Sequence, residues 1–291
     1  MVYDLTGSKF KSPISYVGGK YWIIENIWNY IPADTTEIVS PFFGGGALEL
    51  NLSYFRGIKV HANDKCPLLV NFWKHFLQDP NRIINDAKDI CRKYEREHLI
   101  RLKKGIMLRQ TVVPSPYMKA VYFYLFNKLG YQGITNHSYV IPFRIIDDEF
   151  YRPTTKAKIF RHKSWDYFRG LDIDIKENIF QKSLTEKPDT FAYIDPPYLT
   201  SEMVFSRNKE IFDHNELNEI LKSRDNWILS YGHFPQAPYI KLAYQDYYMQ
   251  EYSRRTGFNN SIQKSNQIEL LIFSHDIAEL VRSQPKQMSL F

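Results

Sequence analysis

The chain has 291 residues with 44% hydrophobic and 16% aromatic content, which predicts an ordered globular protein with a sizeable core, as one large domain or a core with an insertion. A formal charge of +6 favours polyanionic partners, while the lack of a long apolar run and of a signal-peptide core predicts a soluble, cytoplasmic protein. Two cysteines without metal-ligand spacing exclude a disulfide framework and predict no metal site.

A glycine pair precedes the first predicted helix, at 21–30. Residues 13–20 read Pro-Ile-Ser-Tyr-Val-Gly-Gly-Lys. Gly18 and Gly19 would let the backbone come close to a ligand, and Lys20 at the helix start could reach a carboxylate or a phosphate. A Gly-Gly turn before a helix is common, so this pattern indicates a ligand site only in combination with further motifs.

The next segment follows the order strand, glycine loop, helix, strand. Strands are predicted at 37–40 and 59–62, a tight loop at 41–46, a helix at 47–55 and an acid, Asp64, after the second strand. Asp64 lies 18 residues beyond Gly46, a spacing typical of a nucleotide-like cofactor site in which the acid binds ribose hydroxyls. The glycines do not follow the dinucleotide pattern. The alternative to a cofactor site is that the glycines are needed for packing and that Asp64 is a helix cap or a surface residue.

The middle of the chain is basic and is predicted to be helical at 81–104 and 116–129. Seven Lys or Arg stand against two Glu in 92–109, and five Lys or Arg with no acid occur in 152–165. A run of basic residues usually forms only a solvent-exposed face, but the two runs together favour a nucleic-acid surface. The aromatic residues of 117–126 are predicted to be core rather than base-stacking positions.

Residues 191–194 form a short apolar run that predicts a buried strand, which two prolines end. Asp195 therefore lies at a strand end, where open α/β sheets bind ligands. The oxygens of Asp195 and the Pro196 carbonyl could converge on the hydrogens of an amino group attached to an aromatic ring, and Tyr198 offers a face to a planar base. The alternative is a strand that ends in a turn with an exposed tyrosine.

The remaining chain predicts further core elements. A polar loop at 199–208 could close over a flipped base, and a helix at 213–224 and strands at 227–231, 239–252 and 267–274 follow. Arg254 and Arg255 are expected in the loop between the last two strands, where they could contact phosphate.

Four motifs occur in order along the chain: Tyr-Val-Gly-Gly-Lys at 16–20, Pro-Phe-Phe-Gly-Gly-Gly-Ala at 41–47, Ala-Asn-Asp at 62–64 and Asp-Pro-Pro-Tyr at 195–198. Together they resemble the Dam-type, alpha-class DNA adenine methyltransferases, from about Pro13 to Phe273. The resemblance implies an α/β, Rossmann-like S-adenosylmethionine-dependent methyltransferase core with an inserted, mainly helical target recognition domain. It also implies methylation of the exocyclic amine of adenine in double-stranded DNA after base flipping.

The resemblance also implies site residues and domain limits. The catalytic residues would be Asp195, Pro196, Pro197 and Tyr198, and the cofactor would contact Tyr16, Gly18, Lys20, Pro41, Phe42, Gly44, Gly46, Asp64 and Asp195. The catalytic core would comprise 1–79 and 188–276, the target recognition domain 80–187, and a flexible tail 277–291.

Residues 130–133 and 141–144 look like the recognition hairpin region of that family. The intervening 134–140 is short and has no arginine, unlike relatives that read GATC, so the recognition site stays open. The candidates for DNA contact are Gln132, Asn136, His137, Arg144 and Arg152. Gln and Asn suit adenine and Arg suits guanine, although a solvent-facing turn explains such residues equally well.

The last residues, Gln287-Met288-Ser289-Leu290-Phe291, follow a polar tail. They look like the short peptide with which bacterial replication and repair proteins dock on the sliding clamp. Packing of this apolar end back onto the core is the alternative.

We therefore predict a site-specific DNA adenine methyltransferase that uses S-adenosyl-L-methionine, with or without a restriction partner. Methylation of the exocyclic amine of cytosine is the nearest alternative, and the Asp at the head of the motif and the motif order favour adenine. A non-catalytic, clamp-associated DNA-binding protein is a second alternative, against which the intact Lys20, Asp64, Asp195 and Tyr198 argue.

Overall fold

A seven-stranded, mostly parallel sheet forms the centre of the molecule. The computed structural model describes residues 9–16, 18–107, 115–129, 165–198, 212–233, 238–256 and 265–283. The strands are β1, Glu37–Ser40; β2, Lys59–Asp64; β3, Ile173–Glu177; β4, Phe191–Ile194; β5, Trp227–His233; β6, Tyr248–Thr256; and β7, Ser265–Phe273. Their spatial order is β3-β2-β1-β4-β5-β7-β6.

Strands β1 to β5 are parallel to one another, whereas β7 pairs antiparallel with both β5 and β6. The strand order reverses between β1 and β4, which makes the crevice beyond their carboxyl ends the expected ligand site. This arrangement confirms the predicted α/β, Rossmann-like fold class. The inserted, mainly helical domain stays a prediction.

Helices flank the sheet. They are α1, Ile24–Tyr30; α2, Ala47–Arg56; α3, Pro67–Gln78; α4, Pro80–Lys93; α5, Arg96–Met107; α6, Pro116–Leu129; α7, Phe180–Thr185; α8, His214–Lys222; α9, Pro238–Ala243; and α10, His275–Ser283. The starts of α4 and α8 follow from local sequence, because the Asp79 and Asp213 side chains accept hydrogen bonds from the first N–H groups of each helix. Among the helices of the described ranges, none is long and apolar enough to cross a membrane.

Alternate residues of the strands point into two hydrophobic clusters. Ile38 of β1 belongs to a large cluster that includes α1, α3 and α6, whereas Val39 belongs to a second one with α7, α8 and α9. The first cluster is rich in aromatic rings, and Phe72 of α3 stacks on Phe123 of α6 at 5.1 Å between ring centroids. Helix α6 is therefore continuous with the core beside the sheet, which agrees with the prediction that its aromatic residues pack rather than bind bases.

Two predicted elements differ from the structure. The helix expected at 81–104 is two helices, because Tyr94 is extended and ends α4. The strand expected at 239–252 begins only at Tyr248, and its first part is helix α9. Arg254 and Arg255 are not in a loop either, since they pair with Gln267 and Asn266 in the β6–β7 ladder.

The limits expected for the insertion and the tail do not coincide with the observed elements. Strand β3 lies within 80–187, yet it pairs with β2 in the central sheet. Residues 277–283, expected in a flexible tail, form most of α10. Its Ile277, Ala278 and Val281 are buried against the core, because their spacing places them on one face of the helix. The remaining tail lies outside the described residues.

Candidate active site

Side chains from five segments meet at the carboxyl ends of the parallel strands. Lys20 precedes α1, the glycine loop follows β1, Asp64 ends β2, Asp195 follows β4 and Glu269 lies on β7. This is the edge at which parallel sheets bind ligands, because the loops that leave neighbouring strands open there.

The ammonium group of Lys20 holds the Asp195 carboxylate. Its Nζ lies 2.6 and 2.8 Å from the two carboxylate oxygens and 2.8 Å from the carbonyl oxygen of Gly18. Only 4% of the Lys20 side chain is exposed. Burial alone would lower the pKa of Lys20, but the negative charges of Asp195 and Glu269 outweigh it and raise that pKa. Lys20 is therefore a fixed positive charge at neutral pH.

Asp195 is a weaker acid than an ordinary aspartic acid. Burial raises its pKa to about 6, the nearby Glu269 carboxylate adds to the rise, and Lys20 opposes it. The side chain keeps 22% of its surface exposed, so a ligand can reach it. Above about pH 6 it is an ionised hydrogen-bond acceptor at the end of β4.

Tyr198 is turned inward over the neighbouring strand. Its ring lies so close to Gly232 of β5 that a Cβ on that glycine would be 2.4 Å from Cε2 of the ring. Its hydroxyl lies 2.9 Å from Oε1 of Glu269 and 3.2 Å from Oδ1 of Asp195, and it also accepts a hydrogen bond from Lys20. Both ends of the side chain are therefore held.

The sequence analysis missed Glu269 and Ser230. Glu269 is 2% exposed and accepts a hydrogen bond from the Ser230 hydroxyl at 2.6 Å, while Lys20 Nζ lies 3.5 Å from it. A signal was present, because Glu269 interrupts the otherwise apolar run of β7, and a charged residue in such a run needs a partner.

Glu49 in α2 was missed as well. It is 2% exposed, and its Oε1 accepts a hydrogen bond from the Ser40 hydroxyl at 2.6 Å. Burial raises its pKa to about 7, against which the hydrogen bond from Ser40 acts; Asp195 also raises the pKa and Lys20 lowers it. The same signal was present, an acid within the apolar start of a helix.

The glycine loop is closed by aromatic rings of this chain. Gly44 and Gly46 have φ of +50° and +62°, which favour glycine. A Cβ on Gly44 would lie 2.8 Å from the Tyr16 ring, and one on Gly46 would lie 2.6 Å from the Phe43 ring. Backbone geometry and ring packing therefore account for these glycines, as the packing alternative expected, while their contact with a cofactor stays a prediction.

Asp64 shapes the same loop. Its two carboxylate oxygens accept hydrogen bonds from the N–H groups of Gly44, at 3.1 Å, and Cys66, at 2.9 Å. Burial raises the pKa of Tyr16 well above its ordinary value, and the charge of Asp64 adds to this, which places Tyr16 beside that acid.

The predicted site residues thus divide into four groups. Tyr16, Gly18, Lys20, Gly44, Asp64, Asp195 and Tyr198 meet at this edge through the contacts above. Phe42 instead packs between Phe180 and Phe212, with centroid distances of 5.7 and 5.5 Å. Pro41 and Pro196 are buried and Pro197 is exposed. Gln132, Asn136, His137, Arg144 and Arg152 lie outside the described residues, as do Gln287 to Phe291.

Residues 16–258 match the family of D12 class N6 adenine-specific DNA methyltransferases. This range contains every predicted catalytic and cofactor residue, and all four motifs of the sequence analysis begin within it. It also spans most of the central sheet, from β1 to β6.

Curated relatives agree with the family match. The chain is 22% identical to the DNA adenine methylase of Vibrio cholerae over 196 residues, which are 65% of this chain and 66% of the relative. It is 24% identical to the DNA adenine methylase of Haemophilus influenzae over 65% of this chain and 64% of the relative. It is 22% identical to the Type II methyltransferase M1.LlaDCHI of Lactococcus lactis subsp. cremoris, over 63% and 64%. The chain thus covers slightly less than two thirds of these relatives.

Proposed function

The chain belongs to the D12 class of N6 adenine-specific DNA methyltransferases, and we propose that it methylates the exocyclic amino group of adenine within a short motif of double-stranded DNA. The single observation that supports this best is the Asp195 carboxylate, which lies at the end of a central strand and is held by the buried Lys20. The names of the relatives point to the same reaction. Their roles, as modification enzymes with or without a restriction partner, leave both possibilities for this chain.

The proposed methyl donor is S-adenosyl-L-methionine, which supplies a methyl group on a positively charged sulfur. The described residues of the site fit such a cation, because their carboxylates outnumber their ammonium groups. Asp64, Asp195 and Glu269 stand against Lys20, and Glu49 adds partial negative charge near pH 7. Asp64 would accept from ribose hydroxyls, and Tyr16, Gly18, Gly44 and Gly46 would line the same pocket.

Asp195 would act as the hydrogen-bond acceptor for the target amine. An exocyclic amine is a poor nucleophile, because its lone pair is shared with the ring. Hydrogen bonds from its two hydrogens to Asp195 and to the Pro196 carbonyl would localise that lone pair and aim it. Lys20 prevents Asp195 from turning and keeps it ionised, and the carboxylate has lone pairs left for the amine.

Tyr198 would supply the stacking face for a flipped adenine. Flipping a base costs a few kcal/mol, and stacking on an aromatic ring returns about 1 to 3 kcal/mol. The Tyr198 ring is fixed against Gly232 and against Tyr231, at 5.1 Å between ring centroids, and a flipped base would stack on this fixed ring. Because the Tyr198 ring is already fixed in place, stacking a base on it would cost less conformational entropy.

The DNA contacts and the accessory parts stay proposals. We retain Gln132, Asn136, His137, Arg144 and Arg152 as candidates for recognition, within a target recognition region in 80–187. Gln287 to Phe291 remain a proposed peptide for a bacterial-type sliding clamp, on the strength of their sequence alone. Loss of clamp binding after removal of these five residues would support that docking, and unchanged binding would contradict it.

The test is transfer of labelled methyl groups from S-adenosyl-L-methionine to unmethylated genomic DNA, followed by nucleoside analysis and single-molecule mapping. The full chain and its Asp195→Asn variant are compared. We expect N6-methyladenine confined to one short motif with the unmodified chain, and a loss of about 1,000-fold or more with the variant. DNA affinity should be largely kept, since it comes mostly from phosphate contacts.

Three outcomes would contradict the proposal. Methylcytosine as the product would favour the cytosine alternative. Cofactor binding without transfer to DNA would point to RNA or to a required partner protein. Failure to bind S-adenosyl-L-methionine at all would favour a non-catalytic DNA-binding protein.

A further inference from the structure

Glu269 lies next to Gly232, the residue against which the Tyr198 ring packs. In the antiparallel pairing of β5 and β7, Glu269 is directly opposite Gly232, the residue on which the Tyr198 ring rests. The ring therefore lies over one strand while its hydroxyl reaches the carboxylate of the next strand, 2.9 Å away. A side chain in place of Gly232 would occupy this space.

The Glu269 carboxylate is held by three groups. Tyr198 and Ser230 donate hydrogen bonds to its Oε1, at 2.9 and 2.6 Å. Lys20 Nζ lies 3.5 Å from the same oxygen and 2.6 Å from Asp195. One ammonium group thus lies between two carboxylates, and the two donors to Glu269 are neutral hydroxyls.

A buried carboxylate in this position has a cost that a neutral residue would avoid. Burial of a charge is unfavourable unless it is paired and hydrogen-bonded, and here a second acid shares the one lysine of the cluster. A glutamine would also accept from Tyr198 and Ser230. The negative charge of Glu269 therefore has an effect that a glutamine would lack. It attracts the Lys20 ammonium group, which then pairs with both carboxylates instead of with Asp195 alone.

We propose that Glu269 is a positioning residue of the methyl-transfer reaction, which holds the Tyr198 hydroxyl so that the ring stays on Gly232 and shares Lys20 with Asp195. This inference rests on the proposed function. Glu269 does not touch the target base. It acts through the stacking face of Tyr198 and through the charge balance around Asp195, whose lone pairs must remain available to the amine.

Two variants separate these effects. Glu269→Gln keeps the length and the acceptor but loses the charge. Glu269→Asp keeps the charge but is one methylene shorter, so it draws back from the Tyr198 hydroxyl. Glu251→Gln is the matched control, because Glu251 lies on the adjacent β6 strand, is exposed and pairs with Lys241. Each variant is made in the full chain.

The first measurement is the titration of the Asp195 carboxyl in the protein without ligands, by NMR of ¹³C-labelled aspartate. The signal that disappears in Asp195→Asn identifies the residue. The ionisable groups whose charges act on Asp195 or sense it are Lys20, Glu269, Glu49, Tyr16, Tyr193 and Tyr198. Of these, only Glu269 is altered by the substitution.

We expect the Asp195 midpoint, about 6 in the unmodified chain, to move down by about one pH unit in Glu269→Gln. A nearby like charge is removed and Lys20 can pair fully with Asp195, and both changes favour the ionised form. The acid limb of the methyl-transfer rate should move in the same direction. In Glu251→Gln both should stay unchanged.

The second measurement separates KM from kcat. Glu269→Asp should raise KM for DNA about fivefold, the equivalent of one lost hydrogen bond, with a smaller change in kcat. Tyr198→Phe removes the hydroxyl, and with it the contacts to Lys20 and Asp195 as well, so it should raise KM at least as much. The double variant should then be no worse than Tyr198→Phe alone, because both substitutions remove the contact between Glu269 and Tyr198.

The results distinguish this inference from the proposed function. If the unmodified chain transfers no methyl group, the proposed function is wrong, and the NMR titration still tests the charge effect. If it methylates DNA but Glu269→Gln leaves the Asp195 midpoint and the acid limb unmoved, the inference is wrong. If that variant fails to fold, the double-variant comparison decides, and additive effects of Glu269→Asp and Tyr198→Phe would overturn the inference.

Discussion

Two acids that follow strands on either side of β1 are held in different ways. In the glycine-loop region, defined by Tyr16, Gly44, Gly46 and Asp64, both oxygens of Asp64 accept from backbone N–H groups. In the motif region, defined by Lys20, Asp195, Tyr198 and Glu269, the oxygens of Asp195 accept from the side chain of Lys20.

The difference lies in the distance along the chain between partners. Asp64 and Gly44 are 20 residues apart, and one βαβ unit brings them together. Lys20 and Asp195 are 175 residues apart. The glycine-loop region is therefore set by short-range structure, and we expect changes there to act mainly on stability. The motif region combines distant charged groups, and we expect changes there to act mainly on catalysis.

Removal of Lys20 should have the largest effect. In Lys20→Met the two carboxylates lose their shared counter-ion, so the pKa of Asp195 should rise further and the acid should bind a proton more readily at neutral pH. We expect methyl transfer at pH 7 to fall at least about 100-fold, with partial recovery near pH 9. The free energy of unfolding should fall by about 3 kcal/mol.

The control for that change is Lys9→Met, which removes a more exposed ion pair with Glu25. Its free energy of unfolding should change by about 1 kcal/mol or less. Full activity of Lys20→Met at pH 7 would show that the ion pair does not keep Asp195 ionised.

Two glycine substitutions should separate the regions most directly. A Cβ in Gly232→Ala would lie 2.4 Å from the Tyr198 ring and would push the ring away from this strand, so we expect about tenfold lower methyl transfer with a smaller loss of stability than in Gly46→Ala. In Gly46→Ala the methyl group would meet the buried Phe43 ring at 2.6 Å, at a φ of +62°. We expect its free energy of unfolding to fall by about 2 to 3 kcal/mol.

Chemical denaturation and steady-state kinetics on both variants supply the comparison. If Gly232→Ala lost mainly stability and Gly46→Ala lost mainly activity, the division between the two regions would be wrong.

Asp64→Asn should have a moderate effect on stability. The amide oxygen can accept from one of the two N–H groups, but the amide NH₂ then faces the other donor. We expect the free energy of unfolding to fall by about 1 to 2 kcal/mol. Measured beside Asp195→Asn, it should show the larger loss of stability and the smaller loss of turnover, and the reverse order would contradict the assignment.

Glu49→Gln should change stability by an amount that depends on pH. The folded protein binds the Glu49 proton with a pKa of about 7, against about 4.5 when unfolded, so the folded state holds more protons between these values. The contribution of Glu49 to stability therefore falls as pH rises through this window. The variant should be more stable above pH 7 by about 1 to 3 kcal/mol, and equal to the unmodified chain below pH 4.

Denaturant unfolding across this pH range tests the change. The raised pKa of Asp195 also makes stability fall as pH rises. The quantity to compare is therefore the difference in free energy of unfolding between Glu49→Gln and the unmodified chain at each pH. A difference that does not depend on pH would show that Glu49 carries the same charge in both states.

Much of the sheet could be predicted from local patterns. Strand β1 and helix α6 have the predicted limits, because a short β-branched run between turn residues indicates a strand and a long apolar and aromatic run that begins at a proline indicates a helix. The segment after Pro238 was assigned wrongly. Its aromatic and apolar residues fit a strand as well as a helix, and the burial of Ile240 and Tyr244, four residues apart, selected the helix.

The sequence by itself determined the motif order, the fold class and the residues that end the parallel strands, since these depend on short segments whose chemistry is local. Only the tertiary structure decided that Glu269, Ser230 and Gly232 complete the site. They come from β5 and the antiparallel β7, which pair side by side although they are far apart in sequence. Nothing in the local pattern of either strand specifies its neighbour, because strand pairing depends on how the whole sheet buries its apolar residues.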